Sequence, residues 1–475
     1  MKVLFAAAEV SPFAKTGGLA NVAGSLPKAL RALGVDARVI LPLYGCVAEE
    51  YRREMKFLFY TYIQLSWRSQ YCGVLSLEKD GVTYYFLDNE YYYKREGLYA
   101  YYDDAERFAF YSKAIVDLLP RLGWTPDIIH CNDWQTALVP IYLREMQGAP
   151  WDGVRTVFTI HNVEYQGRFP ADTMGYVFGL PQELYDGGLL RFDGEVNLMK
   201  GALYKADRVT TVSPTYAQEL RGPWGAFGLH EIVEENSHKL RGIINGIDYD
   251  VYDPERDPLI RVHFSKDDLS GKAENKRLLQ QQLGLQIEPD KPLIGCVSRL
   301  VYAKGFDMVL ELLEPILARG AQMVLLGTGD RWYEDQFREA QARWPGRFAA
   351  CILFSDELAS RIYASADLFL MPSRSEPCGL TQMIAMRYGT VPLVRQTGGL
   401  KDSVKPYPQP DSNGFSFDWC DKEHLMETIH YALDVYYTDK AAWNGLIRRG
   451  METDFTWTRS AREYLNAYHE ISARD

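Results

Sequence analysis

Short apolar runs rich in β-branched residues alternate along the chain with segments whose apolar residues recur at helical spacing. The first series contains KVLFAAAEV, ARVILPLY, TYYFLD, DIIHCND, RTVFTIHN, RVTTVS and GIINGI. A second series begins near residue 293 with LIGCVSR, QMVLLGTG, FAACILF, LFLMPS and TVPLVR. Because strands separated by helices pair in parallel through right-handed crossovers, the pattern predicts an α/β protein with a doubly wound sheet in each of two tandem domains.

The boundary between these domains is predicted in the stretch 245–258, NGIDYDVYDPERDP, where Gly, Asp and Pro follow the last strand of the first series. We expect an N-terminal domain of residues 1–245 and a C-terminal domain of residues 246–455. A final helical segment, 456–475, is expected to pack back on the N-terminal domain. The boundary stretch is also the expected hinge for closure of the domains on a ligand.

Composition narrows the class of protein. The chain has 475 residues, of which 47% are hydrophobic and 24% charged, so it can bury at least two cores. Its net charge of -11 argues against nucleic-acid binding, which needs a basic surface. No apolar run reaches the roughly 20 residues of a membrane span, and no signal-peptide pattern follows the N-terminus. Seven scattered cysteines without a C-x-x-C pair predict a cytoplasmic protein without a structural metal.

An anion site is one interpretation of KTGGL, residues 15–19, which joins the first strand to a helix. Gly17 and Gly18 would permit a tight turn and close approach of the backbone, while the helix start presents unpaired N–H groups and Lys15 adds a positive charge. A plain turn with a solvated lysine remains an equal alternative, because the stretch matches neither G-x-G-x-x-G nor the Walker sequence.

The second domain offers a matching set of residues. SRLVYAKGFD places Arg299 and Lys304 after its first strand, where a basic pair can neutralise a diphosphate or can simply be two surface cations. PSRSEPCGLTQMIAMRYG places Glu376 before Gly379 and a helix start. A carboxylate beside an anion site suits sugar hydroxyls as donors, although a glutamate at a helix start also fits the helix dipole.

Polar residues in the first domain follow its strands at the carboxyl end of the sheet, where ligands of open α/β sheets bind. His161 and Asn162 come directly after FTI, and Asp133 follows DIIHCN. A single histidine in such a place is commonly structural. Together with the cationic, glycine-rich loops, however, these residues predict an anionic small molecule in a cleft between the domains, and a sugar nucleotide fits.

The ordered set of motifs resembles the family of bacterial glycogen synthases and plant starch synthases. KTGGLANV, HCNDWQ, TIHNVEYQG, TVSPTYAQEL, INGID, KAENKRLLQ, SRLVYAKGFD, PSRSEPCGLTQMIAMRYGT and VRQTGGLKDSV match in order across nearly the whole chain. The resemblance implies the GT-B architecture, two Rossmann-like domains that face a deep interdomain cleft. It also implies transfer of glucose from ADP-glucose to the nonreducing end of an α-1,4-glucan, glycogen or a maltooligosaccharide, with retention of configuration and no cofactor or essential metal.

The resemblance also assigns roles position by position. Lys15, Arg299 and Lys304 are similar to the family's diphosphate-neutralising cations, Glu376 to the residue that holds the sugar's 3-hydroxyl, and His161 to the residue near its 6-hydroxyl. The remaining donor-binding positions are Gly17, Gly18, Asn162, Asn245, Ser298, Phe354, Cys378, Gly379, Leu380 and Thr381. Among these, Phe354 is expected to place its ring against the adenine.

On the acceptor side, the resemblance points to Asp133 and Asn21. Asn21 departs from the family, which usually has Asp in KTGGLAD, so a contact made by that carboxylate is in doubt. Ile384 stands eight positions beyond Glu376, where the wider superfamily has a second glutamate. Its presence agrees with the glycogen-synthase branch and argues against sucrose-type and lipid-sugar transferases.

Other functions remain as alternatives. A UDP-glucose-dependent glucan synthase fits the same residues, since a ring at Phe354 accepts either base. A phosphorylase would need a lysine-held pyridoxal cofactor, and a sugar-nucleotide epimerase shares the fold. A noncatalytic glucan-binding protein would explain the 32 tyrosines and 10 tryptophans, whose rings stack on sugars.

Overall fold

The computed structural model describes residues 1–145, 151 and 153–472. It divides the chain into two compact units, one of Met1–Gly246 with Trp457–Asp475 and the other of Ile247–Thr456. The predicted divisions fell after residues 245 and 455. Residues 146–150, 152 and 473–475 of the predicted N-terminal domain and C-terminal segment lie outside the described residues.

The first unit is built on a sheet of nine strands. Its strands are β1 (Lys2–Ala6), β2 (Asp36–Pro42), β3 (Lys56–Leu65), β4 (Arg68–Lys79), β5 (Val82–Asp88), β6 (Ile128–Asn132), β7 (Arg155–Ile160), β11 (Arg208–Thr211) and β12 (Leu240–Gly242). Three short strands lie between β7 and β11 along the chain: β8 (Arg168–Phe169), β9 (Arg191–Phe192) and β10 (Glu195–Asn197). The order is β12-β11-β7-β6-β1-β2-β5-β4-β3, and β8, β10 and β9 form a small antiparallel sheet. The central strand β1 is fully buried from Val3 onward, which explains its continuous apolar sequence.

Helices cover this sheet. They are α1 (Gly18–Ala32), α2 (Glu49–Glu54), α3 (Glu90–Tyr93), α4 (Asp104–Leu118), α5 (Leu138–Glu145), α6 (Glu183–Asp186), α7 (Leu198–Lys205), α8 (Pro214–Glu219) and α9 (His230–Glu235). In α1 the buried residues recur at helical spacing, for example Leu19, Ala23, Leu26 and Leu30. The packed face of α1 therefore fixes the direction of the KTGGL loop that precedes it.

The hairpin β3–β4 is an addition to the predicted parallel sheet. Both strands pair antiparallel, β3 with β4 and β4 with β5, and they extend the sheet at one edge. Tyr60 and Tyr62 on β3 are 56% and 61% exposed. The hairpin was missed because its residues alternate between buried and exposed faces, whereas the predicted strands are continuous apolar runs.

The second unit has a six-stranded sheet that is parallel throughout. Its strands are β13 (Leu293–Val297), β14 (Gln322–Leu326), β15 (Phe348–Cys351), β16 (Leu368–Met371), β17 (Val391–Arg395) and β18 (Phe415–Phe417), in the order β15-β14-β13-β16-β17-β18. The helices are α10 (Ser270–Gln282), α11 (Phe306–Ala318), α12 (Arg331–Arg343), α13 (Asp356–Ser365), α14 (Thr381–Arg387), α15 (Gly398–Ser403), α16 (Lys422–Thr438) and α17 (Lys440–Glu452).

The last helix, α18 (Trp457–Ser472), belongs to the first unit, where it packs against α1. The Tyr468 hydroxyl lies 2.7 Å from Nδ1 of the buried His130 on β6, and Ser460 donates to the carbonyl of Ile244 at 2.7 Å. Glu470 forms ion pairs with Arg208 and Arg241. Apolar packing and buried polar contacts thus both hold α18 on this unit.

Among the parallel strands of each large sheet the strand order reverses once, and loops at such a switch point form the binding crevice of open α/β folds. In the first unit the reversal lies between β1 and β6, and in the second between β13 and β16. The loops after β1 and β6 carry KTGGL and Asp133. The loops after β13 and β16 carry Lys304 and Glu376.

Candidate active site

A lysine–carboxylate contact forms the centre of the second unit's cluster. Lys304 Nζ lies 2.5 Å from Glu376 Oε2, and the Ser373 hydroxyl donates to the same oxygen at 3.1 Å. The side chains of Lys304 and Glu376 are only 17% and 10% exposed. Two residues that the sequence analysis assigned to different parts of a ligand therefore contact each other.

A second ion pair fixes the loop that carries Lys304. Arg374 donates to both oxygens of Asp307 at 2.6 and 2.7 Å, and its guanidinium lies 3.9 Å from the ring centroid of Tyr302. The Arg374 N–H also donates to the carbonyl of Ala303 at 2.8 Å. These contacts join the loop after β16 to the loop after β13 and to the start of α11.

Gly305 is required by this geometry. Its φ is +74°, and a Cβ there would lie 2.3 Å from the carbonyl oxygen of Pro372. A side chain would therefore push apart the loops that bring Lys304 to Glu376.

Arg299 lies in the same loop and differs from Lys304 in its surroundings. Its side chain is exposed and makes no hydrogen bond or ion pair with the described part of the chain, while Ser298 is partly buried. The GTGD turn, residues 327–330 after β14, approaches this loop closely, since a Cβ on Gly327 would lie 1.8 Å from the carbonyl oxygen of Ser298. The turn therefore supports the loop and leaves Arg299 accessible.

The residues after Glu376 lead into α14. Cys378 is buried, and Gly379 has a φ of +71° with the Gln382 side chain 2.5 Å from its ideal Cβ position. Leu380 and Thr381 follow at the start of the helix, where backbone N–H groups have no acceptor within the helix. Ile384, at the position of the superfamily's second glutamate, is buried in the core.

Phe354, the predicted base-stacking residue, is highly exposed. It follows β15 and precedes α13, and 77% of its surface is accessible. An exposed phenylalanine in a short loop is available to stack on a planar ligand. No contact of its ring with Lys304 or Glu376 is present among the described residues, so the structure does not bring it into their cluster.

In the first unit a buried carboxylate that the sequence analysis left without a role holds the KTGGL loop. Glu9, 5% exposed, accepts the N–H groups of Thr16 at 2.6 Å and Gly17 at 3.0 Å, and the hydroxyls of Thr16 at 2.7 Å and Tyr99 at 2.8 Å. Lys15 is exposed and makes no side-chain bond within the described ranges. One charged residue in the otherwise apolar run VLFAAAEV was the signal that could have revealed Glu9.

The two glycines of the loop fit the predicted close approach of the backbone better than the predicted tight turn. Neither has a positive φ, and a Cβ on Gly17 or Gly18 would have no heavy atom within 4 Å. Folding therefore does not require glycine at these positions. The open space in front of the backbone is suited to the close approach of a bound group.

Asp133 and His161 lie together at the ends of the neighbouring strands β6 and β7. The Asp133 carboxylate accepts the N–H of His161 at 2.7 Å, and it also accepts the N–H of Asn162. Burial raises the pKa of Asp133 to about 7, although these two donors lower it and the charge of Glu9 raises it further. Asp133, which adopts a positive φ of 56°, thus fixes the backbone of the His161 turn.

The imidazole of His161 is neutral at physiological pH. Burial lowers its pKa to about 3. Its Nε2 lies 2.8 Å from Oδ1 of Asn132. The side-chain nitrogen of Asn132 donates to the carbonyls of Ala6 and His130. Since Asn132 offers an acceptor, we assign the proton of His161 to Nε2.

The three predicted asparagines occupy different surroundings. Asn162 accepts the N–H of Glu164 and lies beside Asp133 and His161. Asn245 is buried, and its Oδ1 has no hydrogen-bond partner among the described residues. Asn21 lies partly exposed in the first turn of α1, and its side chain makes no hydrogen bond in the part of the chain that the structure describes. The structure does not bring Asn21 or Asn245 into contact with Asp133.

The KAENKRLLQ motif has an architectural role. Lys272 on α10 is buried, and its Nζ donates to Thr390 Oγ1 at 2.7 Å and to the carbonyls of Tyr388, Tyr363 and Ala364 at 3.0, 3.3 and 3.3 Å. Burial lowers the pKa of Lys272 to about 7. Lys272 therefore ties elements of the second unit together, and the motif's exposed cation, Arg277, is paired with Glu274 at 2.7 Å.

Two kinds of feature are absent from residues 1–145, 151 and 153–472. No group of three or more His, Cys, Asp or Glu side chains is arranged to hold a metal ion. No helix in these ranges combines the length and the apolar character that crossing a membrane requires.

The two α/β units, whose large sheets each carry a cationic loop at the switch point, have the architecture of GT-B glycosyltransferases. A family model described as glycosyl transferases group 1 matches residues 280–442. A sucrose-phosphate synthase from Thermosynechococcus elongatus has the same fold, with a TM-score of 0.62, 17% sequence identity and full coverage of both chains.

More similar proteins identify the family. A model described as the starch synthase catalytic domain matches residues 2–235. The chain is 45% identical over 480 residues to a glycogen synthase of Clostridium botulinum (strain Alaska E43 / Type E3), with full coverage of both, and 48% identical over 478 residues to one of Lactococcus lactis subsp. lactis (strain IL1403), with 99% and 100% coverage. The catalytic domain of starch synthase IV from Arabidopsis thaliana, bound to ADP and acarbose, matches with a TM-score of 0.93, 36% identity and coverage of 100% of this chain and 99% of that chain. The chain belongs to the glycogen and starch synthase family.

Proposed function

We propose that this protein transfers glucose from ADP-glucose to the nonreducing end of an α-1,4-glucan with retention of configuration. The observation that carries the proposal is the contact of Lys304 with Glu376 at the switch point of the second unit. A lysine binds a phosphate, and a carboxylate accepts sugar hydroxyls. Their pairing suits a ligand that contains both groups, and glycogen synthases are relatives of the chain over its full length.

The donor's diphosphate is held by cations and backbone amides. Lys15 and Arg299 are exposed without partners among the described residues, and Lys304 exchanges Glu376 for phosphate when the donor binds. N–H groups at the starts of α1 and α14 add neutral donors. Gly18, Ser298, Cys378, Gly379, Leu380 and Thr381 line the path of the donor, and Phe354 stacks on the base.

Glucose is held by Glu376, which accepts its 3-hydroxyl, and by the His161 turn. The pKa of about 3 keeps the imidazole neutral, so His161 does not act as a general acid at neutral pH. It contributes as a neutral hydrogen-bonding group near the 6-hydroxyl and through its backbone carbonyl near the reacting carbon. Asn162 and Asn245, with its unpartnered Oδ1, complete this sugar pocket, and Asp133 and Asn21 lie toward the acceptor.

Transfer proceeds on one face of the sugar. The bond from the anomeric carbon to the phosphate oxygen breaks, the acceptor's 4-hydroxyl oxygen bonds to that carbon, and its proton passes to the departing phosphate oxygen. A covalent glycosyl-enzyme would need a free carboxylate. In this proposal Glu376 is occupied by the 3-hydroxyl, while Asp133 binds the His161 turn and Glu9 accepts four hydrogen bonds, so none of these three serves as the nucleophile.

No cofactor is assigned to the reaction, and a cytoplasmic location and the absence of nucleic-acid and membrane partners stay predictions from composition. The ADP preference rests on the family and on the ADP in the starch synthase neighbour, because a phenyl ring stacks on either base. A UDP-glucose-dependent glucan synthase is therefore the second candidate.

The test supplies ADP-glucose and UDP-glucose separately with glycogen and measures nucleoside diphosphate release and glucan growth. We expect kcat/KM to be at least about tenfold higher for ADP-glucose, a difference of about 1.4 kcal/mol. Higher kcat/KM with UDP-glucose would assign the other donor. Binding to glycogen without turnover of either donor would instead identify a noncatalytic glucan-binding protein.

A further inference from the structure

We propose that Glu9 is a positioning residue for the donor's diphosphate, because it holds the KTGGL loop in the geometry that presents Lys15 and the start of α1. The inference rests on the proposed function and adds to it a residue that has no direct contact with the donor. Glu9 lies at the switch point, where the chain leaves β1.

The hydrogen bonds of Glu9 are divided between its two oxygens. Oε2 accepts the backbone N–H groups of Thr16 and Gly17, at 2.6 and 3.0 Å. Oε1 accepts the hydroxyls of Thr16 and Tyr99, at 2.7 and 2.8 Å. A carboxylate that is 5% exposed and bonded in this way leaves the loop little freedom, since moving it would strand a buried charge.

The loop depends on Glu9 because its own residues supply little order. Gly17, the cap residue of α1, has no side chain to cap the helix, and a Cβ at Gly17 or Gly18 would meet open space. Glu9 accepts hydrogen bonds from the backbone N–H groups of Thr16 and Gly17. The next N–H groups, those of Gly18 and Leu19 in the first turn of α1, have no acceptor within the helix and remain for an anion.

Tyr99 connects this arrangement to a rigid part of the unit. The carbonyl of Leu98, beside Tyr99, accepts a hydrogen bond from the fully buried Arg107 at 3.0 Å. Arg107 in turn pairs with Asp104 at 2.6 Å, and Asp104 accepts the N–H of Ala100 at 2.9 Å. The segment that carries Tyr99 is thus anchored on α4, and Glu9 is held from both sides.

The geometry separates the shape of the Glu9 side chain from its charge. In Glu9→Gln the amide oxygen can accept the two N–H groups, and the amide nitrogen can donate to the two hydroxyls, each of which has free lone pairs. Glu9→Gln therefore keeps the loop in place without the charge. Glu9→Ala removes all four hydrogen bonds.

The experiment measures kcat and KM for ADP-glucose in Glu9→Ala, Glu9→Gln, Lys15→Ala and the double variant Glu9→Ala/Lys15→Ala, with thermal melting of each. We expect Glu9→Ala to lower kcat by about 30- to 100-fold and Glu9→Gln by less than about fivefold. Because Glu9 acts through the loop that carries Lys15, the double variant should be at most about threefold worse than Lys15→Ala alone.

Three results would each overturn the proposal: wild-type kcat in folded Glu9→Ala, equal losses in Glu9→Gln and Glu9→Ala, or multiplication of the two single losses in the double variant. If Glu9→Ala does not fold, Thr16→Val and Tyr99→Phe each remove one hydrogen bond and should lower kcat about threefold to tenfold, and unchanged kcat in both would contradict the role. Wild-type protein that transfers glucose from neither donor refutes the proposed function itself, a different outcome from an active wild type with an indifferent Glu9.

Discussion

The two loops that carry Lys15 and Lys304 use a carboxylate in opposite ways. In the first unit Glu9 binds the backbone of the loop and leaves the Lys15 amine exposed. In the second unit Glu376 binds the Lys304 amine itself, and both side chains are largely buried. A lysine paired with a largely buried carboxylate contributes to the stability of the fold, whereas a solvent-exposed lysine contributes little to it.

This difference predicts different behaviour for the two lysines. If both bind the donor's diphosphate as proposed, Lys304 must exchange its ion pair with Glu376 for the phosphate contact. Lys15 would lose only its contact with solvent. Variants that remove one lysine at a time should therefore cause similar losses of activity but different losses of stability.

The largest combined effect is expected for Lys304→Ala. Loss of a preorganised phosphate contact should lower kcat about 100-fold, or about 3 kcal/mol. Glu376 would also lose its cation, so the free energy of unfolding should fall by about 3 kcal/mol. Steady-state assays and urea unfolding measure the two effects, with Lys401→Ala as the control at an exposed lysine of the same unit. A Lys304→Ala protein as stable as wild type would remove the distinction between the loops.

Lys15→Ala should lower kcat without lowering the free energy of unfolding. We expect kcat to fall about 100-fold because the leaving diphosphate loses a cation. The free energy of unfolding should stay within about 0.5 kcal/mol of wild type, as is usual for exposed residues. The exposed Lys56 on β3 supplies the matched control, Lys56→Ala, in the same unit. A clear drop in unfolding free energy for Lys15→Ala would show that the first loop also uses its lysine structurally.

A smaller, pH-dependent effect is expected for Asp133→Asn. Burial raises the pKa of Asp133 to about 7 in the folded state, so the folded protein binds a proton that the unfolded chain releases near its ordinary value. The carboxyl therefore makes stability fall as pH rises from about 4 to about 7, by at most about 1.4 kcal/mol per pH unit.

His161 acts in the opposite direction, since its pKa of about 3 makes stability rise between about pH 3 and 6.5. Asp133→Asn keeps the contribution of His161 and loses that of Asp133. The unfolding free energy of Asp133→Asn relative to wild type should therefore rise between pH 5 and pH 7. Urea unfolding at both pH values measures this gain. If the difference in unfolding free energy between the two proteins is the same at pH 5 and pH 7, the pKa of Asp133 is not raised as this prediction requires.

The smallest effect is expected for Phe354→Ala. Loss of one stacked ring should raise KM for the donor about fivefold, or about 1 kcal/mol, with little change in kcat. Trp332→Ala, at another exposed aromatic residue of the second unit, serves as the control. An unchanged KM would mean that the base does not lie on this ring.

The buried strands and the cationic residues could be predicted because each is recognisable within a short stretch of the sequence. Fully apolar runs such as β1 and β13 reveal parallel strands, and glycines beside Lys15 and Lys304 indicate loops at strand ends. The β3–β4 hairpin was missed because its exposed tyrosines interrupt the apolar pattern. Glu9 was missed because its partners Thr16 and Tyr99 lie 7 and 90 residues away along the chain.

Some features depend on tertiary geometry alone. The motif KAENKRLLQ gives no sign that Lys272 is buried under four oxygen acceptors. Gly17 and Gly18 suggested a tight turn, yet their backbone is not in the left-handed region and the space before them is open. The reason for glycine at such positions becomes visible only when the neighbouring atoms are placed.

The central claim is that a nucleotide's diphosphate is bound by Lys15, Arg299 and Lys304. Calorimetric titration of ADP into wild type and the three single alanine variants tests it most directly. We predict that each variant binds ADP at least about tenfold more weakly than wild type, a loss of about 1.4 kcal/mol. Wild-type affinity for ADP in all three folded variants would contradict the claim.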